Sequence, residues 1–142
     1  MCETVDYGNL DADTGIFYAT NSYITSPWLP RMSSGEGTVA TAGLPSGQIE
    51  VSFYGRVVTE PNYHVMETDY TTYSVVYGCQ EDVTQNLWIL SRTPTMDADL
   101  LQTVYSNALA RLPNYISKDN VRTVVQGAPT CTGTYVDYYP TT

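Results

Sequence analysis

Apolar and polar residues alternate along most of the first part of the chain. The clearest case is Gln48–Tyr54, where Ile49, Val51 and Phe53 share one face and Gln48, Glu50 and Ser52 the other. That period of two is the mark of a half-buried strand. Further strands are expected at Cys2–Tyr7, Gly15–Ser22, Gly37–Ala42, Asn62–Thr68, Tyr73–Gly78 and Gln85–Ser91. Turn residues separate them, as at Gly8-Asn9, Asp11 to Gly15 and Pro45-Ser46-Gly47. Residues 25–35 hold Pro27, Pro30, Ser33, Ser34 and Gly35, and this stretch reads as a loop carrying Trp28, Leu29 and Met32. The strands recur about every dozen residues, the spacing of an antiparallel meander.

The period then changes. In Asp97–Leu112 the apolar positions are Leu100, Leu101, Val104, Tyr105, Ala108, Leu109 and Leu112. Spacing of this kind predicts an amphipathic helix. Thr95 or Asp97 can cap its start, Arg111 lies in its last turn and Pro113 ends it. Val121–Val125 reads as a last short strand, and the tail 132–142 as loose chain. A meander with one apolar face must close on itself or on a second sheet. The expected fold is therefore all-β, an antiparallel up-and-down barrel over residues 1–131 with one helix, at about 97–112, packed outside. A closed barrel of about eight strands can hold one small ligand.

Composition narrows the function. The chain has 142 residues, enough for one domain with a real core. Six basic and fifteen acidic residues give a net charge of −9, which argues against nucleic-acid binding and a basic membrane-surface helix. Nine of the fifteen acidic residues fall in 1–71 with only two arginines, an asymmetry read as solubility. No apolar run is long enough to span a bilayer, and no signal peptide is visible at Met1-Cys2-Glu3-Thr4. Aromatic residues are mostly Tyr, 13 against 2 Phe and 2 Trp, which suits strands with wet ends. The cysteines Cys2, Cys79 and Cys131 lack metal-ligand spacing, and His64 is the sole histidine. One disulfide and one thiol is the simplest arithmetic. Cys79 reads as a small buried hydrophobe, a cysteine whose partner is absent from this sequence, or a reactive thiol.

The segment from Asn62 to Cys79 contains Thr68-Asp69-Tyr70 between two strands, followed by Tyr73 and the apolar Val75-Val76. It is similar to the second signature of the lipocalins. Trp88-Ile89-Leu90-Ser91-Arg92-Thr93-Pro94 resembles the third, in which an Arg closes a strand just before the helix. The order of elements matches as well, and the likeness to apolipoprotein D-like lipocalins runs over residues 2–131. The first signature, Gly-x-Trp on an opening strand, is missing. The sequence begins where the family's second strand would begin, so it is expected to be a fragment or a barrel open on one side.

The resemblance implies an eight-stranded barrel, here without its first strand, and a disulfide between Cys2 and Cys131. Cys79 falls where the family has half of another bridge. The Thr68-Asp69-Tyr70 turn and Arg92 become fold residues at the closed end of the barrel. The resemblance also points one parity of each strand inward: Val5, Tyr7, Phe17, Ala19, Val39, Ile49, Val51, Phe53, Tyr63, Val65, Val76 and Trp88. Aromatic walls, small residues and a few hydroxyls suit a flat apolar ligand. His64 alternates away from Tyr63 and belongs outside or at the mouth.

The function so implied is binding and transport of a small hydrophobic molecule by a secreted protein. A bilin, carotenoid, retinoid, steroid or fatty acid would fit, and no cofactor or metal is required. Two other readings stand beside it. One is a filled barrel that binds a protein partner through the Trp28 loop. The other is a lipocalin-type enzyme; against it, no G-x-S-x-G elbow is present and Cys79 lacks a basic sequence neighbour to activate it.

Overall fold

The computed structural model describes residues 2–25, 29–39, 47–80, 84–112, 122–126 and 131. Seven strands and one helix follow in chain order: β1 (Thr4–Tyr7), β2 (Ile16–Thr25), β3 (Leu29–Val39), β4 (Gln48–Phe53), β5 (Tyr63–Thr68), β6 (Tyr73–Gln80), β7 (Thr84–Ser91) and α1 (Ala98–Arg111). Strand order in the sheet equals chain order from β1 to β7. The architecture is all-β with a single helix, as the alternation and the later change of period predict. The expected tail 132–142 lies outside the described residues.

The chain forms two compact units. The first comprises Met1–Gly37, Ser52–Arg56 and Thr123–Thr142. In it β1 pairs antiparallel with β2, Val5 opposite Asn21 and Tyr7 opposite Ala19. The disulfide Cys2–Cys131 forms as the resemblance implies, across a separation of 129 residues. Cys2 is buried, and its backbone N–H donates to the Val125 carbonyl at 3.1 Å. Gln126 Nε2 donates to the Glu3 carbonyl beside it. Residues 122–126 are coil, so the strand expected at Val121–Val125 is corrected for its described part. The coil is tied to this segment through the Val125 carbonyl and the Gln126 side-chain amide.

The loop expected over residues 25–35 is also corrected, since β3 begins at Leu29. Residues 26–28, with Trp28, lie outside the described residues. The glycines of β3 are places where rings approach the backbone. A Cβ on Gly35 would lie 2.6 Å from Phe53 Cδ1, and one on Gly37 would collide with the Phe17 ring. Turn-forming composition here serves close packing instead.

The second unit comprises Thr38–Val51 and Val57–Arg122. Its strands pair β4 to β5, β5 to β6 and β6 to β7, all antiparallel. Val75 and Ile89 are directly opposite, as are Val76 and Trp88, so the two pairs lie on opposite faces. The helix covers the Val75 face. Val104 and Ala108 are buried against Val75, with Met66, Tyr73, Leu87, Ile89, Met96 and Leu100 packed around them. Burying each large apolar side chain contributes about 1.5–3 kcal/mol. Asp97 caps α1, its carboxylate accepting from Asp99 N–H at 3.1 Å and Leu100 N–H at 2.9 Å.

A bulge in β5 resets which residues face which side. Val65 is opposite Val76, but Glu67 is opposite Val75, so Met66 is the extra residue. Alternation from Val65 alone would have put Glu67 on the Trp88 side. It lies instead on the helix side, where its Oε1 accepts from the Tyr73 hydroxyl at 2.7 Å. Its Oε2 meets Arg111 Nη1 at 3.1 Å, and the same nitrogen reaches the Met66 carbonyl at 3.2 Å. Donation to Glu67 holds the Tyr73 proton and raises its pKa above the ordinary phenol value.

Candidate functional site

Register in the second unit gathers six of the expected residues on one face. Ile49 is opposite Tyr63, Val65 opposite Val76 and Val76 opposite Trp88. Val51 follows Ile49 by two residues and shares its side. Trp88 dominates the group. Its ring stacks on Tyr63 with centroids 6.2 Å apart and 25° between planes. It rests on Gly78, where a Cβ would come within 2.7 Å of Cζ3. Val76 beneath is 1% exposed whereas Trp88 is 41% exposed, so the indole is seated on the sheet with part of its surface open. Val39, the seventh expected residue of this unit, is half-buried at the end of β3.

The other five lie in the first unit. Val5, Tyr7, Phe17 and Ala19 share a face through the β1–β2 register, and Tyr7 meets Phe17 edge-on at 6.0 Å. Phe53 lies over Gly35 and Phe17 over Gly37. Ala19 is buried, whereas Tyr7 is 44% exposed. His64 alternates away from Tyr63 as expected and lies near Tyr77, ring centroids 6.3 Å apart. Cys79, half-buried in β6, retains its thiol.

The Asp69 turn closes the far end of β5 and β6 and is built as a fold element. Asp69 Oδ1 accepts N–H bonds from Thr71 at 3.0 Å, Thr72 at 2.7 Å and Tyr73 at 3.0 Å. The bonds from Tyr73 and Thr72 hold the carboxylate well below its ordinary range. Tyr70 takes a left-handed backbone, φ +66°, and its carbonyl accepts from Arg92 Nη2 at 3.2 Å. Asp69 and Arg92 thus act on the turn, as their resemblance to fold residues implies.

Sequence reasoning passed over Asn62. Its Oδ1 accepts from Val51 N–H at 2.8 Å and its Nδ2 donates to the Val51 carbonyl at 3.0 Å. The signal was available in Pro61, which stands opposite Val51 if the Ile49–Tyr63 register is extended and which has no N–H to give.

Comparison with known proteins agrees with this fold. The Lipocalin-like domain family matches residues 6–126. No curated protein matches the sequence. Among solved structures, lobster apocrustacyanin A1 superposes with a TM-score of 0.67 at 17% identity, covering 89% of this chain and 67% of that one. Apocrustacyanin C1 gives a TM-score of 0.65 at 16% identity, covering 90% of this chain and 68% of that one. At such identities the likeness shows the fold, and the family match spans most of the sequence: the chain belongs to the lipocalin-like domain family.

Proposed function

We propose that the chain binds and carries a small hydrophobic molecule, and that the face of Ile49, Val51, Tyr63, Val65, Val76 and Trp88 makes the contact. The observation that carries this reading is Trp88. A large aromatic side chain is stacked on Tyr63, seated on a glycine, and still 41% exposed. Covering it would remove apolar area from water at about 25 cal/mol per Å². Family membership supports binding rather than catalysis, and the disulfide fits an extracellular setting. Retinoids, carotenoids, bilins, steroids and fatty acids are the classes to try.

The test is a titration of the folded protein with a panel of these molecules, read by tryptophan fluorescence. A bound apolar ligand quenches Trp88, and Trp88→Phe removes most of that quenching while Trp28 remains. A panel in which no molecule binds refutes the reading.

A further inference from the structure

Resting on the binding reading above, we infer that this face selects a neutral, planar molecule and rejects one carrying a carboxylate. Ile49, Val51, Val65 and Val76 present only hydrocarbon, and Tyr63 and Trp88 present rings. Polar residues brought to the same side by register include Thr68, Ser74 and Asn86, all uncharged. The described cations of this unit lie outside the paired stretches of its strands. Arg92 is bonded to the Tyr70 carbonyl at the turn, and Arg111 is paired with Glu67 on the helix side. Arg122 stands at the start of the coil 122–126. The Met66 bulge turns Glu67 away, so the paired stretches of β4 to β7 carry charge of neither sign on this side.

A carboxylate leaving water for such a surface finds no cation and loses its hydration, a large cost for an unpaired ion. The net charge of −9 adds general repulsion. A neutral flat molecule meets neither penalty. Gly78 contributes to the preference for planarity. Without a Cβ there, the indole of Trp88 rests against the backbone and offers its open surface as a platform beside Tyr63.

The test compares two matched pairs, all-trans-retinol with all-trans-retinoic acid and pyrene with pyrenecarboxylic acid, titrated at neutral pH and low salt. The neutral member of each pair is expected to bind at least about tenfold more tightly. Asn86→Lys, which puts a cation opposite Gly78, is expected to narrow the gap by strengthening binding of the acids. Gly78→Ala is expected to weaken pyrene binding while circular dichroism shows the sheet intact. Equal or tighter binding of the acids to the wild type overturns the inference and leaves the binding reading standing. An unchanged ratio in Asn86→Lys overturns the charge argument in the same way. Failure of all four probes with folded protein overturns both.

Discussion

The Asn62 side chain pairs with the Val51 backbone as a neighbouring strand would, accepting from its N–H at 2.8 Å and donating to its carbonyl at 3.0 Å. Pro61 cannot supply that second bond, and the amide one residue on replaces it. Asn62→Ala should leave a half-buried N–H and C=O of β4 unpaired. The expected loss is about 1–3 kcal/mol of stability in urea denaturation. Asn62→Asp keeps an acceptor but no donor and should fall between the two. A loss below about 0.5 kcal/mol for Asn62→Ala would mean that water satisfies Val51.

Trp88 and Ile89 are adjacent, and the register sends them to opposite faces. Ile89→Ala should cost about 2 kcal/mol of stability, the low end for a core truncation, because Ile89 is only partly buried against Val75 and α1. Retinol affinity should be unchanged. Trp88→Ala should lower retinol affinity by about tenfold or more, through loss of aromatic contact. If Ile89→Ala weakens binding more at equal folded fraction, the assignment of faces is reversed.

The bridge Cys2–Cys131 spans 129 residues. Chain-entropy reasoning gives about 4–5 kcal/mol for a loop of that size. Cys131→Ser should therefore lower the urea midpoint strongly and free the coil at Val125 and Gln126. Denatured, unreduced wild type should titrate as one thiol, and peptide mapping should assign it to Cys79.

Asp69 sets a direction for acid stability. Its folded pKa lies below its unfolded value, near 3.9 for an ordinary Asp. The unfolded chain then binds the proton first, so the contribution is complete above about pH 4 and declines as pH falls toward the folded pKa. Asp69→Asn should be less stable than wild type at pH 7. The difference should shrink by pH 2.5 in matched urea titrations; a difference independent of pH would show that the charge on Asp69 is not involved.

Much of this fold was legible because its signals are local. The alternation of Ile49, Val51 and Phe53, the helical spacing of Leu100, Val104 and Ala108 and the Asp97 cap each depend on neighbours in sequence. Most of β3, before the strand expected from Gly37, was hidden because Gly35 and Gly37 serve the rings of Phe53 and Phe17, which are distant in sequence. The coil 122–126 was misread as a strand because Val121–Val125 has strand composition, while it meets the N-terminal segment through the Val125 carbonyl and the Gln126 side chain. On the candidate face, the family resemblance placed Tyr63, Val65, Val76 and Trp88 together, parity serving only within each strand. Alternation alone could not show that Gly78 underlies the indole or that Asn62 completes β4, since both depend on pairing register.

The bulge at Met66 also sets the tolerance of β5 to changes in length. A substitution there alters one contact. Removing Met66 would close the bulge and leave Val65 opposite Val76 and Glu67 opposite Val75, so both would keep their sides. The carboxylate would keep its place beside Tyr73 and Arg111. An unbulged strand of the present length, by contrast, would carry Glu67 to the Trp88 side.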